Sequence, residues 1–327
     1  MDLTDETLQP AAIDPELRPA LDAFAANLPE PGAPMTAESL PGVRAMLASL
    51  PRPSDEQLGR EGRFLVEHAV APGLDGAPDV PLLVLRPRGA DATGCLVWLH
   101  GGGMIFGSRY DGIDEMADYA DAMSMVLVSV EYRLAPETPY PGPVDDGIAA
   151  LRWVAENADA LGVPIDAVVL AGGSAGGGLA AMAAARLRAE EAPALRGLML
   201  LAPMLDDRNT SDSVRQLPPA TIWSREANGF GWRSLLGSDA AAGSPAPARI
   251  ADLSGMPQGY IDVGGADGFR DEDAAFALGL SRDGVLVEFH LWAGGYHGFE
   301  GMAPAAAVSA AARSARADWL RRLLSAS

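Results

Sequence analysis

The sequence predicts an α/β domain, a mainly parallel sheet covered by helices on both faces. Short and fully apolar runs such as Cys95-Leu96-Val97-Trp98-Leu99 read as strands buried on both sides. Segments with helical spacing separate them, so strand and helix alternate along most of the chain. The sharpest junction is Val168-Val169-Leu170-Ala171-Gly172-Gly173-Ser174-Ala175-Gly176-Gly177-Gly178-Leu179. There a β-branched run turns directly into an alanine-rich helix, with Ser174 at the corner.

In chain order, residues 1 to about 60 contain no convincing strand. Pro15 to Asn27 and Met35 to Leu50 have helical spacing, separated by the proline-rich linker Leu28 to Pro34. Such a segment must lean on another unit, so residues 1–60 read as a helical cap over a main domain. Arg63 to Val70 and Val80 to Pro87 read as a strand pair across Pro72-Gly73-Leu74-Asp75-Gly76. A strand at Cys95 to Leu99, a helix at Asp111 to Met123 and a strand at Met125 to Val130 follow. Next come a helix from Asp145 to Leu161, the strand before Ser174, a helix over 177–189 and a strand from Leu198 to Ala202. Residues 203–250 read as irregular. A strand at Tyr260 to Val263, a helix over 271–282, a strand from Val285 to Trp292 and a terminal helix near 303–325 complete the pattern.

A formal charge of −20 argues against nucleic acid, whose phosphates demand a basic face, and disfavours an anionic membrane surface. All 24 basic residues are arginine, which removes Schiff-base chemistry and lysine-dependent phosphate loops. Cys95 is the only cysteine; it lies in an apolar run and reads as a buried small hydrophobe. The N-terminus, Met1-Asp2-Leu3-Thr4-Asp5-Glu6, lacks a basic n-region, and no apolar run approaches the length of a bilayer span. A soluble, cytoplasmic protein without metal or organic cofactor is expected.

In an open α/β sheet, chemistry gathers beyond the C-terminal ends of the strands. Ser174 fits that rule. Gly172 and Gly176 supply the near-zero side-chain volume that a strand-to-helix corner needs, in a Gly-x-Ser-x-Gly nucleophile elbow. His100-Gly101-Gly102-Gly103 follows the strand ending at Leu99, and its glycines leave backbone N–H groups free to face a cavity. The N–H groups of Gly102, Gly103 and Ala175 are the expected oxyanion hole. Of four histidines, His68 and His290 fall inside strand candidates and His100 reads as a loop-orienting residue. His297 follows the last strand in Gly294-Gly295-Tyr296-His297-Gly298-Phe299 and is the expected base. Asp267, following the strand Tyr260 to Val263, is the expected acid. Its nearest rival, Asp271, begins a helix, where an acidic residue has a plain dipole role.

These motifs, in order, resemble the bacterial hormone-sensitive-lipase-like carboxylesterases. The resemblance rests on His100-Gly101-Gly102-Gly103 with Gly107-Ser108, on Tyr132-Arg133-Leu134-Ala135-Pro136-Glu137 with Pro143-Val144-Asp145-Asp146, and on the serine corner. It extends through Asp267-x-x-Arg270-Asp271-Glu272 to His297-Gly298-Phe299 and covers roughly residues 60 to 327. It implies an α/β-hydrolase fold with a mostly parallel eight-stranded sheet flanked by helices. The catalytic domain would span 61–202 and 236–327, with a cap insertion at 203–235 beside the N-terminal segment. It further implies acyl transfer through Ser174 on short- to medium-chain esters, a homodimer, and a structural brace at Tyr132 to Glu137. Amidase, lactonase or deacetylase activity would use the same triad. A non-catalytic small-molecule receptor on this fold is the alternative of another class, disfavoured by the joint presence of Ser174, Asp267 and His297. Trp223, Phe230 and Trp232 are the candidate walls of an apolar substrate pocket. One departure stands out: the family places Asp or Thr where this chain has Gly173, so a wider pocket or a softer corner is expected.

Overall fold

The computed structural model describes residues 8–27, 34–89, 91–188, 194–218, 221–237 and 243–325; the linker expected at 28–34 lies outside them except for residue 34. Helices α1 (Arg18–Ala26), α2 (Leu40–Ala48) and the single turn α3 (Asp55–Leu58) precede any strand. β1 (Phe64–Ala71) and β2 (Val80–Pro87) pair antiparallel, with Phe64 opposite Pro87 and Ala71 opposite Val80. Then come β3 (Cys95–Leu99), α4 (Ile113–Met123), β4 (Val126–Val130), α5 (Gly142–Glu156), α6 (Ala158–Leu161), β5 (Val168–Gly173), α7 (Ala175–Leu187) and β6 (Gly197–Leu201). The chain continues through α8 (Asp212–Arg215), α9 (Arg225–Leu236), β7 (Gly259–Gly264), α10 (Arg270–Arg282), β8 (Val287–Trp292), α11 (Phe299–Met302) and α12 (Ala307–Ser325).

The strands form one eight-stranded sheet in the order β1-β2-β4-β3-β5-β6-β7-β8. β2 runs against both neighbours; from β4 to β8 all pairs are parallel. Every residue of β3, β4 and β6 is buried, which is why these strands read as unbroken apolar runs and not as alternating ones. Helix α7 is buried along nearly its whole length between β5 and α5. Its alanines (Ala180, Ala181, Ala183 and Ala184) let the helix approach the sheet closely. On the opposite face, Leu96 and Trp98 pack with Met116 of α4 and with Trp319 and Leu320 of α12. Among the described residues no helix is long and apolar enough to cross a membrane.

The region expected to be irregular contains a three-turn helix, α9. Two glycines within Arg225-Glu226-Ala227-Asn228-Gly229-Phe230-Gly231-Trp232 hide it, each costing about 1 kcal/mol of helix propensity against alanine. Packing overrides that cost. A Cβ on Gly231 would lie 2.7 Å from the Gly103 carbonyl oxygen, so the helix touches the glycine loop through a position that has no side chain. Ser224 caps the helix by accepting from the Ala227 N–H at 3.1 Å.

The N-terminal segment is tied to the far end of the chain. Asp14 N–H donates to the Gly294 carbonyl at 3.1 Å, and Leu17 is buried with Tyr296 and Phe299. Behind that loop sits a buried ionic cluster. Arg316 of α12 donates to both oxygens of Asp262 on β7, at 2.7 and 3.0 Å. It also reaches Glu115 of α4 at 2.8 Å and Glu300 of α11 at 2.7 Å. Tyr260 and Trp292 each donate to Asp262 at 3.1 Å, so the cluster is satisfied by hydrogen bonds as well as by charge. Removing one partner from a buried ion group leaves the others uncompensated. Arg316→Met is therefore expected to lower unfolding stability by about 3–5 kcal/mol, read as a fall in the denaturant midpoint with little change in slope.

Candidate active site

Ser174 stands between β5 and α7 with φ 54° and ψ −119°, outside the regions that L-residues ordinarily occupy. Three backbone hydrogen bonds hold it there. Its N–H donates to Leu201 O at 2.8 Å, and its carbonyl accepts from Met204 N at 2.9 Å and Gly178 N at 3.2 Å. The corner is closed by contact: a Cβ on Gly172 would lie 2.2 Å from the Gly176 oxygen, and one on Gly176 would lie 2.0 Å from the Leu99 oxygen.

His297 Nε2 lies 3.0 Å from Ser174 Oγ, and its Nδ1 lies 2.8 Å from Asp267 Oδ2. The second Asp267 oxygen accepts from the Phe269 N–H at 3.0 Å, which fixes the carboxylate while Phe269 meets the imidazole edge-on. Burial disfavours the imidazolium, but the adjacent Asp267 carboxylate overrides it, and the His297 pKa is raised above the ordinary histidine value. The structure thus joins Ser174, His297 and Asp267 in one hydrogen-bonded chain beyond the C-terminal ends of β5, β7 and β8.

The other candidates are engaged elsewhere. Asp271 accepts from Arg270 and from the Ser213 N–H. His68 faces Asp55, and His290 faces Glu288 on β8. His100 is fully buried, stacked on Tyr132 at 4.1 Å, with Nδ1 2.7 Å from the Gly101 carbonyl. Burial pushes its pKa down to about 4, so it stays neutral. Tyr132 Oη donates to His100 O at 2.8 Å, and Arg133 clasps the buried Asp146 through its side chain and its N–H.

The glycine loop has the backbone that the triplet suggests: Gly102 and Gly103 have φ of 111° and 59°. Among the described residues, the N–H groups of Gly102 and Gly103 donate to no other group of the chain. Ala175 N–H lies at the first turn of α7, where helical N–H groups have no intrahelical acceptor. Ser174, His297, Gly101 and Gly102 line one cleft of about 680 Å³. A second cavity of about 610 Å³, around Ile165, Arg196 and Leu286, lies at the opposite edge of the sheet and contains none of these groups.

The profile of the α/β-hydrolase fold family matches residues 96–301, more than half of the chain. The chain belongs to the α/β-hydrolase family. Its branch is the hormone-sensitive-lipase-like one. Carboxylesterase NlhH of Mycobacterium tuberculosis is 34% identical over 320 residues, covering 93% of this chain and 95% of that protein. A solved bacterial heroin esterase superposes with a TM-score of 0.81 at 34% identity, covering 96% of this chain and 98% of that one. Esterase LipW from Mycobacterium marinum gives a TM-score of 0.85 at 30% identity, covering 97% and 98%.

Against this α/β-hydrolase frame, two expectations from the sequence need correction. Trp223, Phe230 and Trp232 do not line the cleft around Ser174. Trp232 is 2% exposed in the main core, and Phe230 packs against that core, because α9 turns its apolar stripe toward the sheet domain. Trp223 packs edge-on against Phe106 and shuts against Gly103, where a Cβ would lie 2.1 Å from the indole. The cleft wall is built instead by Trp98, Phe106, Leu134 and Leu201, with Leu47 and Arg44 from α2. Nor does Gly173 leave the pocket wider. Trp98 pairs with Ala171 in register, so Gly173 is its same-face diagonal neighbour, and a Cβ there would lie 3.0 Å from the indole. Trp98 fills the space, anchored by its Nε1 donating to Asp111 O at 2.9 Å. The large–small pair Trp98 and Gly173 was a readable signal once the two strands were known to be neighbours.

Gly173→Asp is expected to lower both thermal stability and kcat/KM by overpacking, at a cost of about 1–3 kcal/mol. Pairing it with Trp98→Leu should recover about 1 kcal/mol of that loss in a double-mutant cycle.

Proposed function

We propose that this chain, a carboxylic ester hydrolase, works by two-step acyl transfer through Ser174. The observation that carries the mechanism is the continuous Asp267–His297–Ser174 hydrogen-bond chain opening onto a cleft that Gly101 and Gly102 also line. His297 takes the hydroxyl proton as Ser174 Oγ attacks the ester carbonyl, and Asp267 stabilises the imidazolium that forms. The negative oxygen is received by the N–H groups of Gly102, Gly103 and Ala175. His297 then protonates the leaving alcohol, and water attacks the acyl-enzyme by the same route in reverse.

Short- to medium-chain acyl esters are the proposed substrates. Support comes from a cleft volume of about 680 Å³ and a wall of Trp98, Phe106 and Leu201, which suit a small apolar acyl group. Amide, lactone and N-acetyl substrates draw on the same residues and belong in the same panel. In this reading segments 1–60 and 203–235 form the cap, with α2 lending Leu47 and Arg44 to the cleft. A homodimer and a cytoplasmic location complete the proposal, the first on the family resemblance and the second on a single cysteine, Cys95, that is buried and free.

Hydrolysis of p-nitrophenyl acetate, butyrate, octanoate and palmitate is expected to favour the shorter esters and to vanish in Ser174→Ala. Equal activity in that variant overturns the mechanism. His297 must be neutral to accept the proton, so kcat/KM should fall as pH drops through its raised pKa, above about 6.5. Asp267→Asn removes the anion that raises it, so the acid limb should move to lower pH while kcat falls by about 10⁴.

A further inference from the structure

The glycine loop is held by an arginine from outside the sheet domain. Arg44 of α2 donates from Nε to the Ile105 carbonyl at 2.7 Å and from a terminal nitrogen to the Ala135 carbonyl at 2.8 Å. The same guanidinium forms a two-pronged pair with Glu137, at 2.7 and 2.9 Å. These contacts bridge 61, 91 and 93 positions of sequence, so α2 is stapled to both segments that shape the loop.

The contact with Ile105 continues inward. The peptide unit that offers the Ile105 oxygen carries the Phe106 N–H on its other side, and that N–H donates to Gly102 O at 3.0 Å. The peptide unit of Gly102 O carries the Gly103 N–H on its opposite side. Both units are trans, so in each the N–H points away from its own carbonyl. A second branch converges on the same oxygen. Ala135 N–H donates to Met104 O at 2.9 Å, and the N–H of that peptide unit, on Ile105, donates to Gly102 O at 3.0 Å. Gly102 O therefore accepts two donors, and the plane that aims the Gly103 N–H is held from behind.

We infer that Arg44 is a positioning residue of the oxyanion hole, orienting and polarising the Gly103 N–H through the peptide units of Ile105 and Gly102. A cation at one end of a chain of aligned peptide dipoles draws electron density toward itself, and each bond strengthens the next by about 10–30%. The chain ends where negative charge develops in acyl transfer, so the effect belongs to the transition state and not to ester binding. Lysine would supply a point charge, unable to serve two carbonyls and a carboxylate together.

The inference rests on the esterase reading, and the experiment separates the two. The wild-type chain, Arg44→Met, Arg44→Lys and Glu137→Gln are compared for kcat and KM on p-nitrophenyl butyrate. The same proteins are titrated with an alkyl trifluoromethyl ketone, whose adduct with serine carries an oxyanion. Arg44→Met is expected to lower kcat about tenfold with KM within about twofold, and to weaken the ketone by a similar factor. Arg44→Lys keeps the stem and charge needed for folding and should show both effects in the same direction. Glu137→Gln, which weakens the staple but leaves the guanidinium on Ile105, should stay within about twofold on both readouts. Arg44 variants that keep kcat and ketone affinity overturn the inference, as does a Glu137→Gln loss equal to that of Arg44→Lys. A wild-type chain inactive on every ester overturns the esterase reading, and the inference falls with it.

Discussion

The site depends on one backbone contact that leaves no room for a methyl group. Gly176, at the start of α7, lies against the carbonyl that ends β3, so the serine corner and the loop at Gly101 to Gly103 are fixed relative to each other. From that contact the rest follows geometrically. Parallel pairing of β5, β6, β7 and β8 delivers the Asp267 and His297 loops to the same edge. The loop carrying His297 is in turn held by the chain's first described segment, where Asp14 N–H meets the Gly294 carbonyl. Segments distant in sequence thus converge on the corner through main-chain hydrogen bonds, which substitutions of side chains leave in place.

Much of this was legible in the sequence, and the reasons are local. A strand buried on both faces cannot alternate, so β3, β5 and β6 announced themselves as apolar runs. Residues that follow such strands directly, namely Ser174, His100 to Gly103, Asp267 and His297, could be read from chain position alone. The parts that were missed depend on contacts across the fold. α9 carries two glycines whose propensity cost is overridden by close packing on the glycine loop, and no local pattern reports that. Its aromatic residues looked like pocket walls, but Trp232 faces the core. Trp98, hidden in an apolar strand, became visible as a cleft residue only when its neighbour at Gly173 was known. Arg44 gave no signal, since a lone arginine on a short amphipathic helix reads as solvated surface.

The structure uses arginine for several different mechanical tasks. Arg133 clasps Asp146 beside the glycine loop, Arg270 bridges Asp271 and the Gly265 carbonyl, and Arg44 joins α2 to two loops at once. Each exploits the planar fork to bind more than one acceptor in a fixed geometry. In a chain with no lysine, every side-chain cation available for such bridges is a guanidinium.

The cluster around Arg316 carries a consequence for alkaline tolerance. Guanidinium retains its proton beyond about pH 12, and burial together with neighbouring carboxylates pushes upward the phenols of Tyr260 and of Tyr119, which donates to Glu115. The guanidinium and both phenols keep their protons as the medium turns basic. The lock between α12, β7, α4 and α11 therefore keeps its cation in basic medium, and Glu300 is where acid reaches it. Burial works against the Glu300 charge, Arg316 more than offsets it, and that stabilisation is surrendered as pH falls through the depressed pKa of Glu300.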